Sequence, residues 1–115
     1  MGYHVDINTA SSYGAAAILE VMLKAPGVEV KRARINTREI PDLEEPSENW
    51  ALILECTSNT REAENFEIRV CSLTSGYGGS GPKDLVKCLK LAKVNFDENE
   101  IYSEDNRCLR RVYEK

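Results

Sequence analysis

The sequence predicts an α/β domain of the α+β type, with a single mixed or antiparallel sheet of five to six strands and two helices on one face. Three observations carry this prediction. Apolar residues recur at helical spacing in two segments, while five or six other segments alternate apolar and polar residues or form short apolar runs. The length of 115 residues fits one domain over residues 1–115. The composition, 42% hydrophobic and 30% charged, is that of a globular chain.

The predicted elements follow one another in the order β-α-β-β-β-α-β-β. A split β-α-β arrangement, ferredoxin-like with additions, is the simplest way to stack two helices on one face of such a sheet. Pro26-Gly27 ends the first helix, and Pro82 suits the first turn of the second. The strands are predicted over residues 3–8, 28–35, 50–57, 66–73 and 107–113, with a short one near Ile101-Tyr102, and the helices over 12–24 and 82–93.

Three of these segments carry more specific predictions. In 28–35 the parity of the apolar residues changes near Lys31-Arg32, which indicates a β-bulge and an edge strand. The run 50–57 is nearly all apolar, which predicts a central strand covered on both faces. We expect it to form a hairpin with 66–73. The acidic linker 36–49 has no periodicity that predicts an element.

Charge and hydropathy narrow the choice of partners. The net charge of −4 and the pI near 5.1 give no overall attraction to nucleic acid or anionic membranes. The sequence has no signal-peptide pattern and no apolar run of membrane-spanning length. We therefore expect a cytoplasmic protein with no membrane partner, and nucleic acid is disfavoured as a ligand.

The cysteines and the one histidine do not form a pattern typical of a metal or catalytic site. Zinc sites use clustered thiolates and imidazoles, but His4 stands alone and no cysteines lie close together. We expect no metal and no cofactor. No motif combines a nucleophile, a base and an oxyanion site, so we lean against an enzyme. Among the carboxylates, Glu55 is the one best placed to face a pocket, because it lies at the end of an apolar strand. The cysteines are Cys56, Cys71, Cys88 and Cys108.

The most specific local feature is a glycine-rich loop between a predicted strand and the second helix. Gly76, Gly78 and Gly81 match the pattern G-x-G-x-x-G. Glycines permit close backbone approach, and the unpaired N–H groups of a helix start favour an anion. The pattern predicts a phosphate-bearing, nucleotide-like ligand, and a packing role for the glycines is the equal alternative. The residues predicted to bind from this loop are Ser75, Gly76, Tyr77, Gly78, Gly79, Ser80, Gly81 and Lys83.

A second segment resembles this loop. Residues 9–14 precede the first helix as residues 74–78 precede the second, and both are rich in hydroxyl groups and end in Tyr-Gly. If the two strands that lead into helices run parallel in the centre of the sheet, both loops open at the same end and would form a composite pocket. Further binding residues are then predicted from the first loop, Ser11, Ser12 and Tyr13, and from the C-terminal arginines, Arg110 and Arg111.

These features leave three functions open. The leading hypothesis is a non-catalytic protein that senses or sequesters a phosphate-bearing small molecule at the glycine-rich loop. The alternative is a protein-interaction module, an inhibitor or adaptor, which acts through the 28–35 edge strand and the acidic linker; a homo-oligomer would fit it. The third is a small acyl-transfer enzyme.

Overall fold

A computed structural model describes residues 3–8, 11–37, 50–58 and 64–115. Within these ranges one five-stranded mixed sheet and three helices form the fold, which confirms the predicted α+β class. The elements are β1 (Tyr3–Ile7), α1 (Ser12–Leu23), β2 (Val28–Asn36), β3 (Leu52–Ser58), β4 (Glu64–Val70), α2 (Ser80–Ala92), α3 (Glu98–Tyr102), a 3₁₀ turn (Glu104–Asn106) and β5 (Arg110–Glu114).

The strands lie in the order β1-β4-β3-β2-β5. β1 runs parallel to β4, and all other neighbours are antiparallel. The antiparallel pairing of β3 with β4 confirms the predicted hairpin. The register of β2 against β3 shifts between Val30 and Arg32, which confirms the predicted bulge. The prediction that this strand is an edge is wrong, because β2 pairs with β3 on one side and with β5 on the other.

The core lies between the sheet and the helices. Leu54 of β3 and Ile68 of β4 are fully buried in one apolar cluster with Leu19 of α1 and Leu85 of α2. Burying a leucine side chain in this way stabilises the fold by about 1.5–3 kcal/mol. On the opposite face of β3, the described residues give only partial cover, since Ile53 and Glu55 are half-buried, so the prediction that 50–57 is covered on both faces holds only in part.

The two long helices begin in different ways. Ser11 caps α1, because its hydroxyl accepts a hydrogen bond from the Gly14 N–H at 3.2 Å. At the start of α2, after Gly79, no side chain of the described residues makes a capping bond. Pro82 lies in the first turn of α2, as predicted. α1 and α2 pack side by side.

The segment after α2 departs most from the prediction. Ile101-Tyr102 is the end of helix α3 rather than a strand, so the sheet has five strands and the element order is β-α-β-β-β-α-α-β. The side chain of Asp97 accepts a hydrogen bond from the Asn99 N–H at 2.9 Å and so caps this helix. Ile101 is fully buried. A cap followed by one buried apolar residue is a local helix signal that alternation alone does not detect.

Candidate functional site

The predicted composite site lies at one end of the sheet. β1 and β4 are parallel and end together at Ile7 and Val70, so the segments that lead into α1 and α2 leave the sheet at the same end, as expected. The expectation that both strands are central is wrong, since β1 forms an edge of the sheet. The side chains at this end show which polar groups are already used within the fold.

Ser75 is a buried structural residue. Its side chain is 2% exposed, and its hydroxyl donates to the Asn106 carbonyl at 2.5 Å. The same oxygen lies 2.6 Å from the hydroxyl of Thr37, which in turn accepts a hydrogen bond from the Leu109 N–H at 2.9 Å. These bonds join the glycine-rich loop to the end of β2 and the start of β5, so the Ser75 hydroxyl is not directed toward an external ligand.

The backbone conformation and the packing at position 76 require glycine. It has a positive φ of +86°, and its N–H donates to the Ile101 carbonyl at 2.8 Å. A Cβ atom here would lie 2.7 Å from both the backbone nitrogen and the Cα of Arg107. The close approach of the 101–107 segment therefore explains this glycine without a ligand.

The remaining glycines differ from one another. Gly81 is buried, and a Cβ atom there would overlap the hydroxyl oxygen of Thr74. A Cβ atom at Gly79 would overlap the ring of Tyr77, whose hydroxyl hydrogen-bonds to the hydroxyl of Thr74 at 2.7 Å. At Gly78 a Cβ atom would meet no atom of the described residues within 4 Å. Steric contacts therefore explain why three of the four positions hold glycine, and Gly78 alone faces space that the described residues leave open.

The two helix starts meet through a buried carboxylate. The Ser12 hydroxyl donates to Asp84 Oδ2 at 2.6 Å, and Asp84 is only 8% exposed. The structure thus brings the two predicted loops together, but an internal anion lies between them. A phosphate at this point would meet the negative charge of Asp84. Tyr13, from the same predicted group, is 72% exposed and faces outward.

The predicted arginines contact other groups. Arg110 Nε lies 3.3 Å from the side-chain oxygen of Asn36, at the same end of the sheet as the glycine-rich loop. Arg111 pairs with Glu100 of α3 at 3.1 Å. Of the predicted residues of the loop and the start of α2, those left with exposed side chains are Tyr77, Ser80 and Lys83.

The open face of the sheet, opposite the helices, carries a row of alternating charges. Arg32 and Arg34 contact Glu55 at 3.3 and 3.4 Å, and Arg34 and Arg69 contact Glu67 at 2.8 and 2.9 Å. Glu55 therefore lies in this ion-pair row. It also faces a pocket, as the sequence predicts, since it lines a groove of about 670 Å³ on this face, and the lining of that groove carries both signs of charge.

Two of the four cysteines, Cys56 and Cys88, do not have the environment of nucleophiles. Burial raises the pKa of the Cys56 thiol to about 12. The pKa of Cys88 is also raised to about 12, by burial and then by the nearby Asp84 carboxylate. Such thiols stay protonated at neutral pH and react poorly. His4 is exposed and lies 3.6 Å from Asp6. In the described parts of the chain, no group of three or more metal-ligating side chains is found, and no helix could cross a membrane.

An apolar surface that the sequence reasoning missed lies at the β1 edge. Six large apolar residues of the described chain are exposed, and four of them belong to β1 and α1. We define the edge surface as Val5 of β1 with Tyr13, Ala17, Ile18 and Val21 of α1. Val5 is 41% exposed, Tyr13 72%, Ile18 42% and Val21 73%.

The signal for this surface was present in the composition of α1. Glu20 is the only charged residue of the helix. A helix that is apolar on every side is normally covered on every side.

Comparison with known proteins identifies no relative: no family model, curated protein or solved structure matches the chain.

Proposed function

We propose that the protein is an interaction module that binds a partner polypeptide on its edge surface. One observation carries the proposal: Val5, Tyr13, Ile18 and Val21, four of the six exposed large apolar residues of the described chain, lie on the two elements at one edge of the sheet. Contiguous exposed apolar surface is uncommon on proteins that act alone and marks interaction sites.

The two elements offer complementary kinds of contact. α1 supplies an aromatic ring and branched aliphatic side chains, which are the groups that anchor protein interfaces. β1 pairs with β4 on one side only, so among the described residues its other side offers backbone donors and acceptors to a further strand. A partner that adds a strand to β1 would also reach α1.

An interaction module is the alternative, not the leading hypothesis, that the sequence predicts, and the edge surface differs from the surface predicted for it. The predicted interaction strand, 28–35, is internal to the sheet as β2, because β3 pairs with one side of it and β5 pairs with the other side at residues 32–36. The acidic linker 36–49 lies mostly outside the described residues. The edge surface takes the place of both.

Site-specific photo-crosslinking in cells tests the proposal. A benzophenone amino acid in place of Val21 should give an adduct of one defined mass, because that side chain is 73% exposed on the edge surface. Val112 on β5 is the matched control, since it is also apolar and 54% exposed. Adding Ala17→Glu should remove the adduct from position 21. No adduct at 21, or the same adducts from 21 and 112, would contradict the proposal.

A phosphate-bearing ligand at the start of α2 is the second candidate function. The observation that favours it is a helix start that no described side chain caps, with Ser80 and Lys83 exposed beside the open space at Gly78. A thermal-shift screen against phosphate, nucleotides and coenzyme A tests it. A ligand at 100 times its dissociation constant adds about 2.7 kcal/mol of stability.

The glycine substitutions that would accompany this screen are not equivalent. Gly78→Val should abolish any ligand-induced shift and leave the fold intact, because no described atom lies near that position. Gly81→Val is unsuitable, because its side chain would overlap Thr74. The phosphate site would be excluded if no compound of the screen changed the midpoint of thermal unfolding, or if a ligand-induced shift of that midpoint persisted in Gly78→Val.

A further inference from the structure

We propose that the partner is a second copy of this chain, joined by antiparallel pairing of the two β1 strands about a two-fold axis at Val5. The inference rests on the proposed function, since it names the occupant of the edge surface. Such a dimer would have one continuous ten-stranded sheet, twice the five strands of one chain, with the two α1 helices side by side on the same face.

The two edges of the sheet differ in how they are protected. Soluble proteins blunt exposed edge strands with charged residues, proline or bulges. β5, Arg-Arg-Val-Tyr-Glu, has three charged residues out of five. β1, Tyr-His-Val-Asp-Ile, has one residue that is always charged at neutral pH, Asp6, and its pairing with β4 is regular. Among the described residues, β1 is therefore the edge that is open to another strand.

The sequence of β1 is complementary to itself in one register. A two-fold axis perpendicular to the sheet keeps both sets of helices on one face, so the pairing must be centred on a residue. Centring on Val5 sets His4 opposite Asp6 of the second copy, and Asp6 opposite His4 of the second copy. Both side chains are exposed on the open face, and they already lie 3.6 Å apart within one chain. A histidine N–H on one strand can then donate to the carboxylate on the other, and such polar pairs across strands are favourable.

The neighbouring registers lack this complementarity. Centring on Asp6 would place two carboxylates directly opposite each other, which destabilises a strand pair. Centring on His4 would place two imidazoles opposite each other and leave Asp6 without its partner. The register at Val5 is therefore the one that the side chains select.

The helix above β1 presents its apolar side toward the same axis. Glu20 of α1 lies 3.8 Å from Lys87 of α2, so this side of α1 faces α2. At 100° per residue, Val21 lies about 100° from Glu20, opposite the buried Leu19. Ile18 lies about 160° from Glu20, on the side of the helix away from α2. Because α1 contacts β1, the edge strand, that side faces outward over the edge.

The spacing of strands and helices fits this arrangement. Neighbouring strands are about 4.8 Å apart, and packed helices are about 8–10 Å apart. The proposed dimer places each α1, which contacts β1 of its own copy, at packing distance from the other α1 across the axis. Ile18 and Val21 of each copy would be covered by the same residues of the other, as a two-fold interface requires.

Disulfide trapping tests both the occupant and the register. The chain carrying Val5→Cys, with Cys71→Ser and Cys108→Ser to remove the accessible native thiols, is oxidised mildly. Residues opposite each other on antiparallel strands have Cα atoms about 4.5–5.5 Å apart, within the range of a disulfide. We expect a covalent dimer that forms at least roughly tenfold faster than with His4→Cys or Val112→Cys in the same background, because those positions are not opposite themselves.

Each outcome decides the proposal. Selective trapping at position 5, with the far-ultraviolet circular dichroism of the parent, supports it. Equal trapping at positions 4, 5 and 112 reflects random collision and overturns it, as does no trapping at position 5 in a folded variant. The mass of the photo-crosslinked adduct at position 21 distinguishes the proposed function from the inference that the partner is a second copy. An adduct of twice the chain mass supports the second copy. An adduct of another mass keeps the proposed function and overturns this inference, and no adduct overturns both.

Discussion

Gly76→Ala should strongly destabilise the protein, whereas Gly78→Ala should not. The two glycines are two residues apart in the same loop and both belong to the predicted phosphate-binding pattern. At Gly76 the backbone has a φ of +86°, and an added Cβ would lie 2.6 Å from Arg107 Cγ and 2.7 Å from the Arg107 backbone. At Gly78 the added atom would meet no described atom within 4 Å.

The expected cost at Gly76 has two parts. An alanine at positive φ is less favourable than glycine by about 1–2 kcal/mol. Moving the Arg107 backbone away adds about 1–3 kcal/mol, as overpacking does elsewhere. The total, roughly 2–5 kcal/mol, is a large part of the 5–15 kcal/mol that stabilises a typical domain. Gly78→Ala should change stability by less than about 1 kcal/mol and can increase it, because alanine restricts the unfolded chain.

Thermal unfolding of the two variants measures this difference. At about 4 °C per kcal/mol for a domain of this size, the midpoint of Gly76→Ala should fall by roughly 8–20 °C, and that of Gly78→Ala by only a few degrees at most. Urea titration should give the same order of free energies. Equal midpoints for the two variants would refute the conclusion that packing against Arg107 determines the conformation of this loop.

Two further contacts give separate predictions. Ser12→Ala leaves the buried Asp84 carboxylate without its hydroxyl donor at 2.6 Å, so it should lower the free energy of urea unfolding by about 1–3 kcal/mol. The same change at the exposed Ser80 should lower it by less than about 0.5 kcal/mol. Equal losses for the two variants would contradict the structural role of the Ser12–Asp84 bond. Iodoacetamide at pH 8 should label the exposed Cys108 in the native protein and Cys88 only after unfolding. Burial raises the pKa of Cys88 to about 12, above its unfolded value of about 8.5, so the folded state favours the protonated thiol. The contribution of this thiol to stability is therefore complete below about pH 8.5 and is lost as the pH rises toward 12. Stability that does not fall over this range would contradict the buried position of the thiol.

The fold class could be predicted because its signals are local. The bulge near Lys31-Arg32 appears in the sequence as a change of parity, and the β3–β4 hairpin as two apolar runs separated by a short polar segment. The position of β2 within the sheet could not be predicted in the same way. It depends on β5, which pairs with β2 from the far end of the chain, and no local pattern specifies that contact.

The candidate site was predictable only in part. The sequence correctly indicated that the two Tyr-Gly segments leave the sheet at the same end, since the strands before them are parallel. It could not indicate that Asp84 occupies the junction of the two helix starts, or that Thr74 and Arg107 fill the space beside Gly81 and Gly76. Those contacts depend on how separate elements pack, and the phosphate-binding role of the loop stays a prediction.

Sedimentation equilibrium tests most directly the central claim that two copies of the chain associate through the edge surface. The wild-type chain should associate to a dimer, and Val21→Lys should weaken association by at least roughly 100-fold, because each of two symmetric copies loses a buried valine. Val112→Lys, at an apolar and similarly exposed position on the opposite edge, should leave association unchanged. A wild-type chain that stays monomeric up to about 100 µM, or two lysine variants that behave alike, would contradict self-association through the edge surface.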